Sequence, residues 1–337
     1  MVTTALIAMV LAADPAPHAG QEFIYETAPF PECHASTLVE LPGGAILAAW
    51  FGGTEEGHPD VAIWASRREA GAPAGSGRWS APRKLASEPG QPCWNPVLFH
   101  DAAGRLWLYW KVGPSPDRWS GARAVSTDGG ETFGPPEILP AGILGPVKDK
   151  PLVLPGGDVL CGSSVESYRA WTVWVERLSA DGKTWTKHGP VEVPGHRRGI
   201  IQPTLFPGDG PREVVLLARA SGIGRVCRAR SDDGGTTWGP AEPTEMPNPN
   251  SGIDAVRLPD GRVVLAANPV AGGRTPLVLA VSRDLGRTWK SAVVLEDRPG
   301  EYSYPAVIRL ASGDLAVTYT WDRKKIRFAR VPPSALE

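Results

Sequence analysis

Ser231-Asp232-Asp233-Gly234-Gly235-Thr236-Thr237-Trp238 is the stretch that decides the fold of this chain, because near-copies of it return at regular intervals. A Ser and an Asp two residues apart can hydrogen-bond their own backbone and hold a tight turn. The glycines supply positive φ, and the closing Trp anchors the turn in an apolar slot. Ser126–Phe133 and Ser282–Trp289 repeat the pattern, while Ser179–Trp185 and a remnant running from Ser66 to Trp79-Ser80 are degraded forms. The five starts, at 66, 126, 179, 231 and 282, are separated by 60, 53, 52 and 51 residues.

A second pattern precedes each turn: an apolar strand, a Gly-containing turn and another apolar strand. Thr37–Leu41, Pro42-Gly43-Gly44 and Ala45–Trp50 form the first. The turn glycines Gly44, Gly104, Gly157, Gly210, Gly261 and Gly313 are spaced by 60, 53, 53, 51 and 52 residues. One unit therefore holds three strands and a turn into a fourth, and such a unit cannot bury both faces alone. Six of them packed around an axis predict an all-β, six-bladed β-propeller, which protects its sheet edges by closing radially. A strand near Glu22-Phe23-Ile24-Tyr25 is expected to complete the last blade.

Composition agrees. The chain has 337 residues, 42% hydrophobic and 21% charged, with a formal net charge of −1, so it can bury a large core and offers no basic excess for nucleic acid. Residues 1–20 differ, with an apolar run from Ala5 to Ala13 followed by a polar, Pro-containing stretch. This reads as a secretory segment that places the chain outside the cytoplasm, in the periplasm or medium, against a frayed terminus of a cytoplasmic chain. Residues 21–337 are then the propeller, expected to act as a monomer without a cofactor. No other run approaches the ~20 apolar residues of a membrane span. Cys33 and Cys93 open strands that are expected to lie side by side, which admits one disulfide. Four small buried hydrophobes (Cys33, Cys93, Cys161 and Cys227) are the preferred reading.

In a propeller the first strand of each blade lines the axis, and the loops after the second strands crowd onto the same end of the channel, where a ligand goes. With the first strands aligned on their last apolar residue, the residue four back is Thr37, Asn95, Lys150, Gln202, Asp254 and Ala306. Lys148 and Tyr304 lie two further back on the same face. Polar groups that differ from blade to blade suit a ligand with unlike sides, so these residues are expected to touch it. The loops add Glu55, Glu56, His58 and Asp60 in blade one, Glu166 in blade three, and Arg219, Arg274 and Arg323 in blades four to six. The acidic loop matches no standard metal cage and reads as a solvated surface.

Six blades with Ser-x-Asp-x-Gly-x-Thr-Trp turns resemble the sialidase superfamily, in its BNR/Asp-box repeat branch, over residues 21–331. The resemblance implies three arginines gripping a substrate carboxylate, a tyrosine nucleophile on the first strand of the last blade activated by a glutamate, and an aspartate as general acid. Tyr304 falls where that tyrosine belongs, with Tyr302 as the alternative. Arg219 and Arg274 fall at family-like positions, and Arg323 is a stand-in for the third arginine.

The departures bear on activity. The first-blade Phe-Arg-Ile-Pro signature is replaced by Glu32-Cys33-His34-Ala35-Ser36, and Gln202 stands where the activating glutamate would be. Either Glu166 or Glu301 has taken over its task, with Asp60 as the acid, or the reaction differs. Three readings remain: a glycosidase releasing a terminal acidic sugar, a lyase on uronic acid sugars or another glycosidase using His34, and a glycan-binding propeller without turnover.

Overall fold

A computed structural model describes residues 20–71, 79–196 and 198–337. The segment read as a secretory signal and the middle of the Ser66–Ser80 remnant lie outside these residues. The described strands form six antiparallel four-stranded sheets, as the turn spacing predicts. Blade one is Glu32–Glu40, Ile46–Gly53, Ala62–Arg68 and Arg83–Ala86, from the axis outward. The inner strands of blades two to five are Cys93–His100, Leu152–Val153, Ile200–Pro207 and Asp254–Arg257. Blade six takes Tyr302–Arg309, Leu315–Trp321 and Lys325–Val331, and its outer strand is Gln21–Phe23, with Glu22 opposite Phe328. The ring is thus closed by the early strand that the sequence calls for.

Each sheet is covered on both faces by its neighbours, so the second strands are buried without alternation. Val214–Ala220 is buried at every position. All four cysteines are buried as free thiols.

The Ser-x-Asp turns sit on the seams between blades. Ser231 Oγ donates to Asp233 Oδ1 at 2.8 Å and accepts from Gly235 N at 2.9 Å, while Asp233 also takes Thr236 N and Thr237 N. Gly235 has φ +84°, and a Cβ there would stand 2.6 Å from Leu160 of blade three. Gly130 meets Leu47 in the same way at 2.7 Å. Glycine is therefore required twice over at this position, for the backbone angle and for the approach of the next blade. Trp238 anchors the turn as expected: it is half-buried against the apolar cluster of blades three and four and donates to Gly235 O at 3.0 Å.

Four inner strands share a feature that hydropathy does not report. The pairing slips by a residue between His34 and Thr37, Trp94 and Val97, Ile201 and Thr204, and Ser303 and Ala306. Within each slip a non-glycine residue takes positive φ: Ala35 at 54°, Asn95 at 33°, Gln202 at 52° and Tyr304 at 50°. Such conformations cost of order 1–3 kcal/mol each and persist where surrounding packing over-determines them. The bulges re-aim side chains at the mouth of the channel. They also correct the alignment above. Glu40 and His100 are the last paired residues of their strands, opposite Ile46 and Leu106, so counting back from Leu41 and Phe99 puts the blades two residues out of step. In true register Gln202 and Tyr304 are equivalent positions.

Candidate active site

Tyr304 is buried at the axial end of blade six, and its hydroxyl meets two side chains of blade four. Arg219 Nη1 donates to Tyr304 Oη at 2.6 Å, and Gln202 Nε2 approaches the same oxygen at 3.4 Å. Arg219 is itself fixed by Gln202 Oε1 at 3.0 Å and Asn250 Oδ1 at 2.9 Å. The guanidinium carbons of Arg219 and Arg274 lie 5.5 and 5.7 Å from the centre of the Tyr304 ring, within cation–π range.

Arg274 and Arg323 are tied together by one carboxylate. Glu301 Oε1 accepts from Arg274 Nη1 at 2.9 Å, from Arg323 Nε at 2.7 Å and from Ser303 Oγ at 3.2 Å. Partial burial works to raise its pKa, but the hydrogen bond and charge of Arg323 and the charge of Arg274 outweigh it and hold Glu301 below the usual carboxylate range. Arg323 also bonds Glu56 across the mouth. It stands in a two-residue turn in which Asp322 and Arg323 both have positive φ, at 48° and 59°, and Asp322 Oδ1 locks that turn by accepting from Glu301 N at 2.7 Å. These hydrogen bonds leave Nη2 of Arg219 and of Arg323, and Nε and Nη2 of Arg274, unused among the described residues.

His34, on the inner strand of blade one, packs against the Tyr304 ring. Its ring centroid is 4.1 Å from that of Tyr304, and its Nδ1 is 3.0 Å from Thr320 Oγ1, which also accepts from Ala35 N at 3.2 Å. Burial first, then the charges of Arg323, Arg274, Arg219 and Lys148, push His34 well below the ordinary histidine range, so the imidazole is neutral. Its Nε2 is buried without a hydrogen-bond partner. Burial raises the pKa of Glu166; Arg219 works against that shift and Glu56 adds to it, and its Oε1 has no hydrogen-bond partner among the described residues.

Several expected site residues do other work. Asn95 Nδ2 donates to Val147 O at 3.0 Å, joining blade two to the approach to blade three. Lys148 Nζ binds Asp149 at 2.6 Å and the carbonyls of Ile253 and Pro305 at 2.8 Å. Lys150 Nζ sits on Asp254 at 2.8 and 2.9 Å, and Asp254 further accepts from Thr204 Oγ1 at 2.9 Å and Val307 N at 2.8 Å. These four residues clamp blade to blade, each to a different partner, and Lys148 Nζ also lies 5.8 Å from the centre of the Tyr304 ring. Tyr302 is buried among the apolar side chains between blades five and six. Asp60 is exposed and held by Thr54 N at 3.0 Å, Thr54 Oγ1 at 2.7 Å and His58. Hydrogen bonds, that from the Thr54 backbone above all, bring Asp60 down to about 2, so it holds no proton to give near neutral pH. Among the described residues no three or more His, Cys, Asp or Glu gather as a metal-holding group. None of the described helices is long and apolar enough to cross a membrane.

Sequence reasoning missed Thr320 and Asn250, which position His34 and Arg219. Thr320 carries no sequence signal, being one of two threonines in an otherwise apolar strand. Asn250, at φ 60° inside Pro-Asn-Pro-Asn, was legible as a turn but not as a partner.

A family model described as "BNR repeat-like domain" matches residues 44–317. No curated protein sequence matches the chain. Among solved structures, a protein of unknown function from Dyadobacter fermentans superposes with a TM-score of 0.76 at 19% identity, covering 94% of this chain and 98% of that one. The NanB sialidase of Streptococcus pneumoniae gives 0.76 at 13% identity, over 96% of this chain and 71% of that one. Trypanosoma rangeli sialidase in complex with sialic acid gives 0.71 at 14%, over 95% of this chain and 60% of that one. At these identities the likeness is one of fold.

Proposed function

We propose, on the premise that this chain belongs to the BNR repeat-like domain family, that it is an exo-glycosidase of the sialidase type releasing a terminal acidic sugar from a glycan. The observation that carries the reading is the Tyr304 hydroxyl held at 2.6 Å by Arg219 at the channel mouth, with Arg274 beside the ring. The unused guanidinium nitrogens of Arg219, Arg274 and Arg323 supply planar donors for a carboxylate. Tyr304 Oη forms the bond to the anomeric carbon as the bond to the leaving oxygen breaks. Glu166, whose raised pKa and free oxygen suit it to carry a proton, relays the proton that the phenol loses to the leaving oxygen. Water then attacks the anomeric carbon, the bond to Tyr304 Oη breaks, and one water proton returns to Oη through Glu166 as the free sugar leaves. Glu301 holds two arginines in place and takes no part in proton transfer. The apolar run from Ala5 to Ala13 supports a place outside the cytoplasm.

The test is a screen of the purified protein against fluorogenic glycosides of sialic acid, glucuronate, rhamnose and neutral sugars. Release from acidic sugars alone supports the reading, and release from neutral sugars alone refutes it. One observation favours a second reading: a neutral imidazole packed on a tyrosine ring beside cations also fits β-elimination of a uronate, with His34 taking the C5 proton and Tyr304 protonating the leaving oxygen. An unsaturated product absorbing in the ultraviolet identifies that course.

A further inference from the structure

The hairpin that carries Glu166 continues past the mouth and presents an aromatic ring to solvent. Tyr168 is 82% exposed and Val165 39%, and with Ile138 they are the exposed large hydrophobic residues among those described. Two of the three thus flank Glu166, whose Oε1 is buried without a hydrogen-bond partner among the described residues. The tip is fixed in place: Ser167 N and Oγ both donate to Ala170 O, at 2.9 and 2.8 Å, and Arg198 Nη2 donates to Tyr168 O at 3.2 Å. Arg169 lies 5.8 Å over the Tyr168 ring, which backs one face with a cation and leaves the ring's exposure to the other side. A rigid, solvent-facing tyrosine with a guanidinium beside it has little to gain from folding, since it buries almost nothing.

We infer that Tyr168 is a stacking platform for the sugar next to the one released, on the leaving-group side of Glu166. An aromatic ring meets the apolar C–H face of a sugar ring, and Arg169 donates to its hydroxyls. The inference rests on the reading of the mouth as a glycan site, and it narrows the substrate class to chains of at least two sugars.

The experiment uses Tyr304→Phe protein, so that ligands survive, on an array of mono- and oligosaccharides ending in sialic, glucuronic, galacturonic and neutral sugars. Tyr168→Ala in that background should bind oligosaccharides about tenfold more weakly while monosaccharides are unaffected, and Tyr168→Trp should retain binding. Equal melting temperatures are expected, because the side chain is exposed. Oligosaccharide binding that is the same with and without Tyr168, or no retention of any glycan, overturns the platform. Tyr168-dependent retention of chains that the wild-type protein never cleaves keeps the platform and refutes the glycosidase reading, so the two fail separately.

Discussion

Arg219 of blade four reaches the Tyr304 hydroxyl of blade six at 2.6 Å, joining two blades that share no seam. The contact exists because both residues' strands are re-aimed or ended at the mouth: Tyr304 sits in a bulge at φ 50°, and Arg219 lies one residue before its strand ends. Replacing Tyr304 by Phe deletes one hydroxyl and leaves the ring in place. Turnover should fall by ~10²–10⁴-fold or more while the melting temperature changes little. Full activity in Tyr304→Phe with none in His34→Ala would move the chemistry to His34.

Arg219→Lys keeps the charge and loses the planar fork. Binding of an acidic sugar should weaken by roughly 1–3 kcal/mol, measured by calorimetry. A neutral analogue losing as much would argue against carboxylate contact.

Glu166→Gln separates activity from stability. Turnover should drop by ~10²–10⁴-fold. Because burial raises the pKa of Glu166, its contribution to stability is full below the ordinary glutamate value near 4.3 and is lost as pH rises through the folded value. Gln carries no such cost, so the variant should melt higher than the wild type at pH 8 and alike at pH 4. A variant that melts lower at pH 8 counts against an uncompensated buried carboxyl.

His34 has the opposite sign. Its folded pKa is depressed, so unfolded chains take up a proton below about pH 6.5 that the folded protein refuses. Stability present above that pH declines on acidification, by up to about 1.4 kcal/mol per pH unit from this residue. Melting curves of His34→Gln between pH 7 and 5 should decline less steeply than those of the wild type; parallel curves sink the argument.

Gly235→Ala should destabilise the protein without touching the mouth, since a methyl group at φ +84° would meet Leu160 at 2.6 Å. Asp233→Ala, which strips the turn of the acceptor for Thr236 and Thr237, should cost ~1–4 kcal/mol in urea unfolding. If either variant melts normally but loses turnover per folded molecule, the turns are not scaffold alone.

The repeat was fully legible. Local turn chemistry and apolar runs are encoded residue by residue, so Ser231–Trp238 and its copies fixed blade number, strand order and the closing strand before any contact was known. Position within a repeat also put Tyr304, Arg219 and Arg274 at one end of the channel, where the structure brings them together, while His34 entered through the altered first-blade stretch Glu32–Ser36. What only the tertiary structure decided is which polar residues face one another. Asp254 looked like a ligand group and is instead consumed by Lys150, Thr204 and Val307. Glu301 looked like a base and is held between Arg274 and Arg323. Those outcomes depend on bulges, on turn lengths that shift one blade's register against another, and on partners from 22 to 104 residues away. A hydrogen bond across the axis depends on where two strands end in space, and strand periodicity carries no record of that.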